Sequence, residues 1–448
     1  MLSVYIKTLG CQMNVRDSEQ VSRQLLDRGY CLVEDEKDAD VILINTCSVR
    51  DQAEQKAIQK MRSLAYLKKK KPQMILGFLG CMAQSRGEEL FDQLPDLDLV
   101  IGTQKFHRVV DDLEKKTHSG GKILDVEAEE NAHCEIRDHI LVPPTAFISV
   151  MQGCNMHCAF CIVPHTRGKQ RSRPIPDILA EARLLVAQGV KEITLLGQIV
   201  NLYGRGQFPM EKNRSPFAQL LYELEKIDGL ERIRFTSPHP LGMKPDLIQA
   251  FRDVEKLCEH VHLPVQSGSD VILKKMKRGH TADAYRKIID ALRAASSEME
   301  FTTDVIVGFP GETEEDFLQT EKLIEDVQFQ NAFIFKYSKR SNTPAASLED
   351  QISQSIKEER NERLLRAIDK IAEEKNSVLL GKTVEILVEG PSKKNSKRYT
   401  GRTRTNKIAV FPADEKSRGE LVNLRIEEAT NFTLYGTTDF TDKDGFHG

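Results

Sequence analysis

The 448-residue sequence predicts an α/β protein of three domains: a parallel, doubly wound sheet, then an incomplete (βα)6 barrel, then a small antiparallel β-barrel. Three observations predict it. Short runs that are apolar on both faces, such as Val41-Ile-Leu-Ile44, alternate with helical patterns through most of the chain, as strands of a parallel sheet covered by helices must. Six strand–helix units follow one another in its centre. Beyond residue 380 the apolar residues switch to a period of two with polar turns between, the pattern of antiparallel strands.

Residues 4–10 read as a strand ending in Gly10, followed by Cys11 and a helical pattern over 17–28. A second strand over 41–44 leads to Cys47 and a helix over 51–68, and a third over 74–79 ends in Gly80-Cys81, with a helix from about residue 86. Periodicity then dissolves over 115–144, where a Gly-Gly pair, an acidic stretch over 127–135 and Pro143-Pro144 indicate a linker. Further strands are expected over 146–151, 192–197, 232–236, 260–265, 302–307 and 331–337, separated by helices over 178–188, 218–227, 244–251, 282–295 and 314–326. A charged helix over 355–375, apolar at Leu364, Leu365, Ile368 and Ile371, reads as a packed connector. Strands over 383–388, 407–411 and 421–426 build the tail. The boundaries that follow are 1–116, a linker over 117–142, 143–373 and 376–438.

Composition excludes several classes. The chain is 40% hydrophobic with a formal net charge of −3, so nucleic-acid binding must come from a local patch and not from the field of the whole protein. Nine cysteines without a charged-then-apolar leader argue against a secreted disulfide scaffold and for a reducing cytoplasm. No apolar run approaches the roughly 20 residues needed to span a bilayer.

Chemistry is concentrated in Met151-Gln-Gly-Cys154-Asn-Met-His-Cys158-Ala-Phe-Cys161, where three cysteines at C-x3-C-x2-C spacing follow a strand. His157 and His165 are poor ligands for an iron–sulfur cluster, whose usual set is four thiolates, so one iron stays open. Open positions are what catalytic metal sites keep. A Cys3His zinc knuckle is the other reading of this spacing. Cys11, Cys47 and Cys81 each lie one to three residues past a parallel strand, at the edge where such sheets collect ligands. Three loops on one edge can gather three thiols, which we read as ligands of a second, separate cluster with an open site. Cys31, Cys134 and Cys258 have no such partners and read as small hydrophobes. After the central strands, Gln198 with Asn201, Ser237 with His239, Gln266 with Ser267 and Gly308 with Glu312 put polar groups where barrel chemistry sits. The loop expected over 393–407 carries seven cations and no acid, with Tyr399 interleaved. It is either a solvated face or a surface that grips phosphates and stacks a base.

With Phe160 ahead of Cys161, the three-cysteine motif resembles the C-x3-C-x-aromatic-C signature of the radical S-adenosylmethionine (SAM) superfamily. Gly10-Cys-Gln-Met-Asn14, Asn45-Thr-Cys-Ser-Val-Arg50, Thr166-Arg-Gly-Lys-Gln-Arg-Ser-Arg-Pro174, Leu263-Pro-Val-Gln-Ser-Gly268 and Asp304-Val-Ile-Val-Gly-Phe-Pro-Gly-Glu312 extend the likeness to nearly the whole chain. They resemble the radical-SAM methylthiotransferases, and Cys-Gln-Met-Asn resembles the branch acting on N6-isopentenyladenosine at tRNA position 37. The tail resembles a TRAM domain, an RNA-binding module. The resemblance implies two [4Fe-4S] clusters, one on Cys154, Cys158 and Cys161 and one on Cys11, Cys47 and Cys81, with SAM as radical source and methyl donor. It points to Phe160, Gln198, Ser237 and Asp304 as cofactor contacts and to Arg167 and Arg173 as carboxylate or phosphate contacts. Lys393, Lys394, Lys397, Arg398, Arg402 and Arg404 are its RNA contacts.

The implied reaction places a methylthio group on C2 of that adenosine. The implied partners are a tRNA anticodon stem-loop and an electron donor such as flavodoxin or ferredoxin, served by a cytoplasmic monomer. Two departures stand out. Gly197-Gln-Ile-Val-Asn201 replaces a pattern similar to Gly-Gln-Asn-Val-Asn, so Ile199 removes an amide, and Lys339-Arg-Ser-Asn342 replaces a turn richer in proline and glycine, which should alter only a loop. Three other functions compete: methylthiolation of a ribosomal-protein aspartate, whose enzymes have a first motif similar to Gly-Cys-Pro-Lys-Asn; methylthiolation of N6-threonylcarbamoyladenosine-37; and a non-enzymatic, zinc-stabilised RNA-binding module.

Overall fold

The structure, a computed structural model, describes residues 2–48, 51–129 and 144–438. Arg50, Cys134, Pro143 and most of the expected linker lie outside these residues.

The first sheet has six parallel strands: β1 Ser3–Leu9, β2 Cys31–Leu32, β3 Val41–Thr46, β4 Ile75–Gly80, β5 Leu99–Ile101 and β6 Ile123–Asp125. Their order is β2-β1-β3-β4-β5-β6, so the winding reverses between β1 and β3. Such a reversal opens a crevice at the carboxyl edge of the sheet. β3 and β4 are buried along their whole length because helices cover both faces, which is why they read as continuous apolar runs. Two corrections follow. The sheet includes β5 and β6, each three residues and too short for periodicity to register. β6 also carries this domain to Asp125, past the expected boundary at 116, into what reads as linker.

The central strands are β7 Thr145–Ser149, β8 Met151–Gln152, β9 Arg171–Ser172, β10 Glu192–Leu196, β11 Arg232–Phe235, β12 His260–His262, β13 Glu300–Val307 and β14 Asn331–Lys336. The parallel triplets β7-β10-β11 and β12-β13-β14 are joined where Ile233 of β11 bridges Leu257, just ahead of β12. The result is an open arc of six parallel strands in sequence order. The helices Ile175–Ala187, Pro216–Glu225, Pro245–Asp253, Ala282–Ala295 and Glu314–Val327 pack on its outside into one apolar core. The connector helix Gln354–Ser377 joins that core through Leu364, Ile368 and Ile371, whereas Leu365 is 40% exposed.

The tail is a closed barrel of β15 Thr383–Pro391, β16 Arg398–Thr403, β17 Ile408–Pro412, β18 Leu421–Ala429 and β19 Thr433–Thr438. It is not antiparallel throughout: the closing pair, β17 with β19, is parallel. Nor is 393–407 one loop, because β16 lies within it. Its inward residues, Tyr399, Gly401 and Thr403, include only one large apolar side chain and a mid-strand glycine, so no apolar alternation announces a strand.

The barrel of the tail sits at the amino ends of the central strands. Arg232 of β11 donates to the Arg402 carbonyl (2.8 Å) and pairs with Glu385 (2.7 Å). Arg234 donates to the carbonyls of Thr403 and Arg404, each at 2.7 Å. Gln330, just ahead of β14, donates to the Thr405 carbonyl (2.9 Å). Among the described residues no helix is long and apolar enough to cross a membrane.

Candidate metal centres and cofactor site

The first thiol trio sits at the crevice of the N-terminal sheet. Cys11 follows β1 and caps helix Gln12–Asp27, Cys47 follows β3, and Cys81 opens helix Cys81–Arg86 directly after β4. Since β1, β3 and β4 are neighbours, their loops converge. The Cys11 and Cys47 thiols are in hydrogen-bond contact; that contact, against burial and with help from the Arg167 charge, lowers the Cys11 thiol to about 6. Burial pushes the Cys81 thiol up, against the pull of Arg167.

This convergence depends on glycine. A Cβ on Gly10 would lie 2.3 Å from Asn14 Oδ1 and 3.0 Å from Cys47 Cβ, and one on Gly80, at φ +93°, would lie 2.3 Å from Asn45 Oδ1. Asn14 is fully buried: its Oδ1 accepts from the Cys11 N–H (3.2 Å) and its Nδ2 donates to Asn45 Oδ1 (3.1 Å). Asn45 Nδ2 returns a bond to the Asn14 carbonyl (2.9 Å). The two asparagines lock the loops after β1 and β3 together.

The second trio lies on the loop between β8 and helix Val163–Arg167. Cys154 and Cys158 are buried and Cys161 partly so. The loop doubles back at Gly153, φ +77°, where a Cβ would meet the Lys169 carbonyl at 2.1 Å, and the Cys154 N–H reaches the Gly168 carbonyl (3.0 Å). Donors already point at sulfur: the Met156 N–H lies 3.3 Å from Cys154 Sγ, and Arg278 Nη1 lies 3.5 Å from Cys158 Sγ. Burial pushes the Cys161 thiol up to about 12 and raises Cys154, and the neighbouring Cys158 adds to both shifts. Phe160 packs in an apolar cluster with Ile272, Met276, Phe309 and Tyr337. Among the described residues no three His, Cys, Asp or Glu side chains are grouped as a single-ion site.

One residue reaches from the helix after the second trio to the first. Helix Val163–Arg167 packs on helix Cys81–Arg86. Arg167, six residues past Cys161, pairs with Asp17 at 2.6 Å and lies close enough to Cys81 for its charge to act on that thiol. This corrects its expected role: the carboxylate it binds is the protein's own. Arg173 is likewise engaged, 2.7 Å from Glu181, which is fully buried and also takes Arg16 (3.1 Å). Ser149 Oγ lies 3.8 Å from Met13 Sδ, so the Cys-Gln-Met-Asn tetrapeptide rests on β7.

The three expected polar contacts to cofactor divide. Gln198 and Ser237 stand at the carboxyl ends of β10 and β11, half-buried; Gln198 Oε1 is a buried acceptor without a hydrogen-bond partner among the described residues, and Ser237 has φ +58°. Asp304 lies inside β13 instead, 3.4 Å from His262 Nε2. Ile199 is buried, and the amide two residues on, Asn201, spans the His239 N–H (2.8 Å) and carbonyl (2.9 Å). The turn over 339–342 does more than vary a loop: Arg340 Nη1 comes within 3.8 Å of buried Glu54 in the first domain.

The basic stretch divides too. Lys393, Lys394, Lys397 and Arg398 are exposed. Arg404 is not available to RNA as expected, since it forks onto Glu259 (2.7 Å) and the carbonyls of Glu255 and Leu257. Arg402 pairs with Glu389 (3.0 Å) beside the same interface. Tyr399 is no stacking platform: its ring is 7% exposed in the barrel core and its hydroxyl donates to Glu415 (3.1 Å). Sequence reasoning missed Arg278, which reaches Cys158, and Asp17, which pairs with Arg167 beside Cys81; each contact joins residues over a hundred apart and leaves no local pattern.

A thiol-only trio on the loop after the first strand of an open, six-stranded parallel barrel is the arrangement of a radical-SAM protein. Residues 148–324 match the family described as the Radical SAM superfamily, residues 3–102 the Uncharacterized protein family UPF0004, and residues 377–438 the TRAM domain. The fold is similar to that of the radical SAM methyltransferase TsrM from Kitasatospora setae (TM-score 0.57, 13% identity, 77% of this chain and 75% of that one). It is also similar to that of the cobalamin-dependent SAM radical enzyme OxsB (TM-score 0.52, 14% identity, 83% and 56%). Curated proteins named tRNA-2-methylthio-N(6)-dimethylallyladenosine synthase are much more similar in sequence. That of Methylacidiphilum infernorum is 55% identical over 98% of this chain and 95% of its own, and that of Opitutus terrae 51% over 97% of each. That of Akkermansia muciniphila is 50% identical over 97% of this chain and 98% of its own. The chain belongs to this family.

Proposed function

We propose that the protein transfers a methylthio group to C2 of N6-isopentenyladenosine-37 in tRNA. The observation that carries this reading is the pair of thiol trios, with Arg167 of the helix that follows the second trio reaching Asp17 beside Cys81 of the first, in a chain 55% identical to a curated tRNA-2-methylthio-N(6)-dimethylallyladenosine synthase. Both trios fit a [4Fe-4S] cluster. Their donors are thiols alone, N–H groups are aimed at sulfur, and glycines stand where a Cβ would fill the loops. When bound, the barrel cluster with SAM supplies a carbon radical able to take hydrogen from an unreactive C–H bond, and the N-terminal cluster supplies sulfur.

The chain's own residues bind, orient and exclude. Cys154, Cys158 and Cys161 hold the first cluster, and Cys11, Cys47 and Cys81 the second. The orphaned Gln198 carbonyl offers an acceptor to the ammonium of SAM, with the Ser237 hydroxyl on the adjacent strand end and Asp304 deeper in the barrel. The apolar packing of Phe160 keeps water from the cluster loop. Lys393, Lys394, Lys397 and Arg398 grip phosphates of the anticodon stem-loop. The working parts are the sheet to Asp125, the central barrel from residue 144 with its connector helix to Ser377, and the RNA-binding barrel from Thr383 to Thr438. A small low-potential electron-transfer protein, flavodoxin or ferredoxin, serves a cytoplasmic monomer.

The test is anaerobic reconstitution with iron and sulfide counted, reaction with isopentenylated tRNA, and identification of the nucleoside after digestion. The expected product is 2-methylthio-N6-isopentenyladenosine. Methylthiolation only of threonylcarbamoyladenosine or of a ribosomal protein, or zinc without iron and acid-labile sulfide, overturns the reading.

A further inference from the structure

We propose that Arg278 is a positioning residue that raises the reduction potential of the barrel cluster through an unopposed buried charge on Cys158. The inference rests on Cys158 being a cluster ligand.

Arg278 comes from the turn after helix Asp270–Lys275, where Lys277 and Gly279 both take positive φ, +57° and +71°. The same turn supports the cysteine loop, because the Met276 carbonyl accepts the Ala159 N–H at 3.0 Å. Arg278 is 6% exposed. Its Nη1 lies 3.5 Å from Cys158 Sγ, its Nη2 donates to the Pro264 carbonyl at 2.9 Å, and its Nε is buried with no hydrogen-bond partner among the described residues. No carboxylate pairs with it among those residues. The flanking rings, His239 and His280, are kept neutral by burial and by Arg278 itself, so they add no second charge.

The other trio shows the contrast. It too has a buried guanidinium, Arg167 on Cys81, but Asp17 lies 2.6 Å from that guanidinium and cancels its charge. One trio therefore faces a neutral pair and the other a bare cation.

Reduction of a [4Fe-4S] cluster from the 2+ to the 1+ state adds one electron and hence one negative charge. A fixed cation at a ligand sulfur favours that state, and in low dielectric its effect is large. The N–H···S contact acts in the same direction, since hydrogen bonds to cluster sulfurs are among the determinants of potential. A merely structural Arg278 would hold the Pro264 carbonyl and leave the potential alone.

The experiment compares the full-length reconstituted protein with Arg278→Gln and Arg278→Lys. Each is poised against dithionite, a one-electron donor, and the reduced cluster whose EPR signal responds to SAM is quantified beside iron and sulfide content. At a fixed solution potential, Arg278→Gln should show a reduced-to-oxidised ratio about ten-fold lower, a midpoint about 59 mV lower for a one-electron couple. Arg278→Lys, which keeps the charge, should stay within about two-fold of the natural protein. An unchanged ratio in Arg278→Gln with full iron overturns the proposal, as does a fall in Arg278→Lys as large as in Arg278→Gln. If Arg278→Gln loses its iron, Arg278→Met, which keeps much of the volume without the charge, takes its place: a ten-fold lower ratio supports the charge and a natural ratio refutes it. Absence of any SAM-responsive cluster in the natural protein would overturn the functional reading beneath the inference, and the inference with it.

Discussion

At Gly80 the space open to a side chain decides whether three thiols can meet. The residue sits at φ +93° with the Asn45 amide and the Thr46 carbonyl where a Cβ would be, so neither conformation nor volume accommodates alanine. Gly80→Ala should displace Cys81 and lower iron by about half, to one [4Fe-4S] cluster per chain, with SAM cleavage retained. Full iron content in the variant would show that the loop relaxes. The thiols themselves divide by task. Cys158→Ala should abolish SAM cleavage, while Cys47→Ala should leave cleavage and stop sulfur insertion, read as deoxyadenosine and methylthiolated nucleoside from one reaction. Loss of cleavage in both folded variants would end that division. Spacing and position after strands made all six cysteines visible in the sequence. Arg278 was invisible because its role depends on a turn 120 residues from Cys158, and the same one-letter code serves Arg404, which is spent on docking.

Two helices from different domains share one buried carboxylate. Helix Gln12–Asp27 brings Arg16 and helix Ile175–Ala187 brings Glu181, whose second oxygen takes Arg173. Glu19 also pairs with Arg16, at 3.0 Å, but is partly exposed and sits at the rim. Glu181→Gln leaves the buried Arg16 and the half-buried Arg173 without their common counter-charge, and removing one partner of a buried pair costs about 3–5 kcal/mol. The expected outcome is a stability against denaturant lower by that amount, with earlier proteolytic separation of the first domain from the second. A change under about 1 kcal/mol would show that Glu19 suffices for Arg16. At this scale the sequence was readable wherever an element was long. The buried strands β3 and β4 and the five outer helices were evident from their patterns. Strands β5 and β6 were hidden by their three-residue length, and β16 by an inward face of Tyr399, Gly401 and Thr403, which carries no run of large apolar residues.

The two ends of the central barrel face different tasks. Its carboxyl end carries the Cys154–Cys161 loop, on whose following helix Arg167 reaches toward Cys81, while its amino end is closed by the tip of the small barrel through Arg234, Gln330 and Glu259. The exposed cations at 393–398 lie at the other end of β16 from that tip, about 20 Å along a six-residue strand. RNA held there must extend around the side of the central barrel to bring a base to the mouth. The cations would then set affinity without touching chemistry. Replacing Lys393, Lys394, Lys397 and Arg398 with glutamine should flatten the dependence of log K for tRNA on log salt by about 0.7–0.9 for each phosphate that is no longer neutralised, up to about 3.6 in all. The turnover at saturating tRNA should stay that of the natural protein. An unchanged slope would move the RNA-binding surface elsewhere, and an unchanged slope with slower turnover would place these residues in domain arrangement instead of phosphate binding.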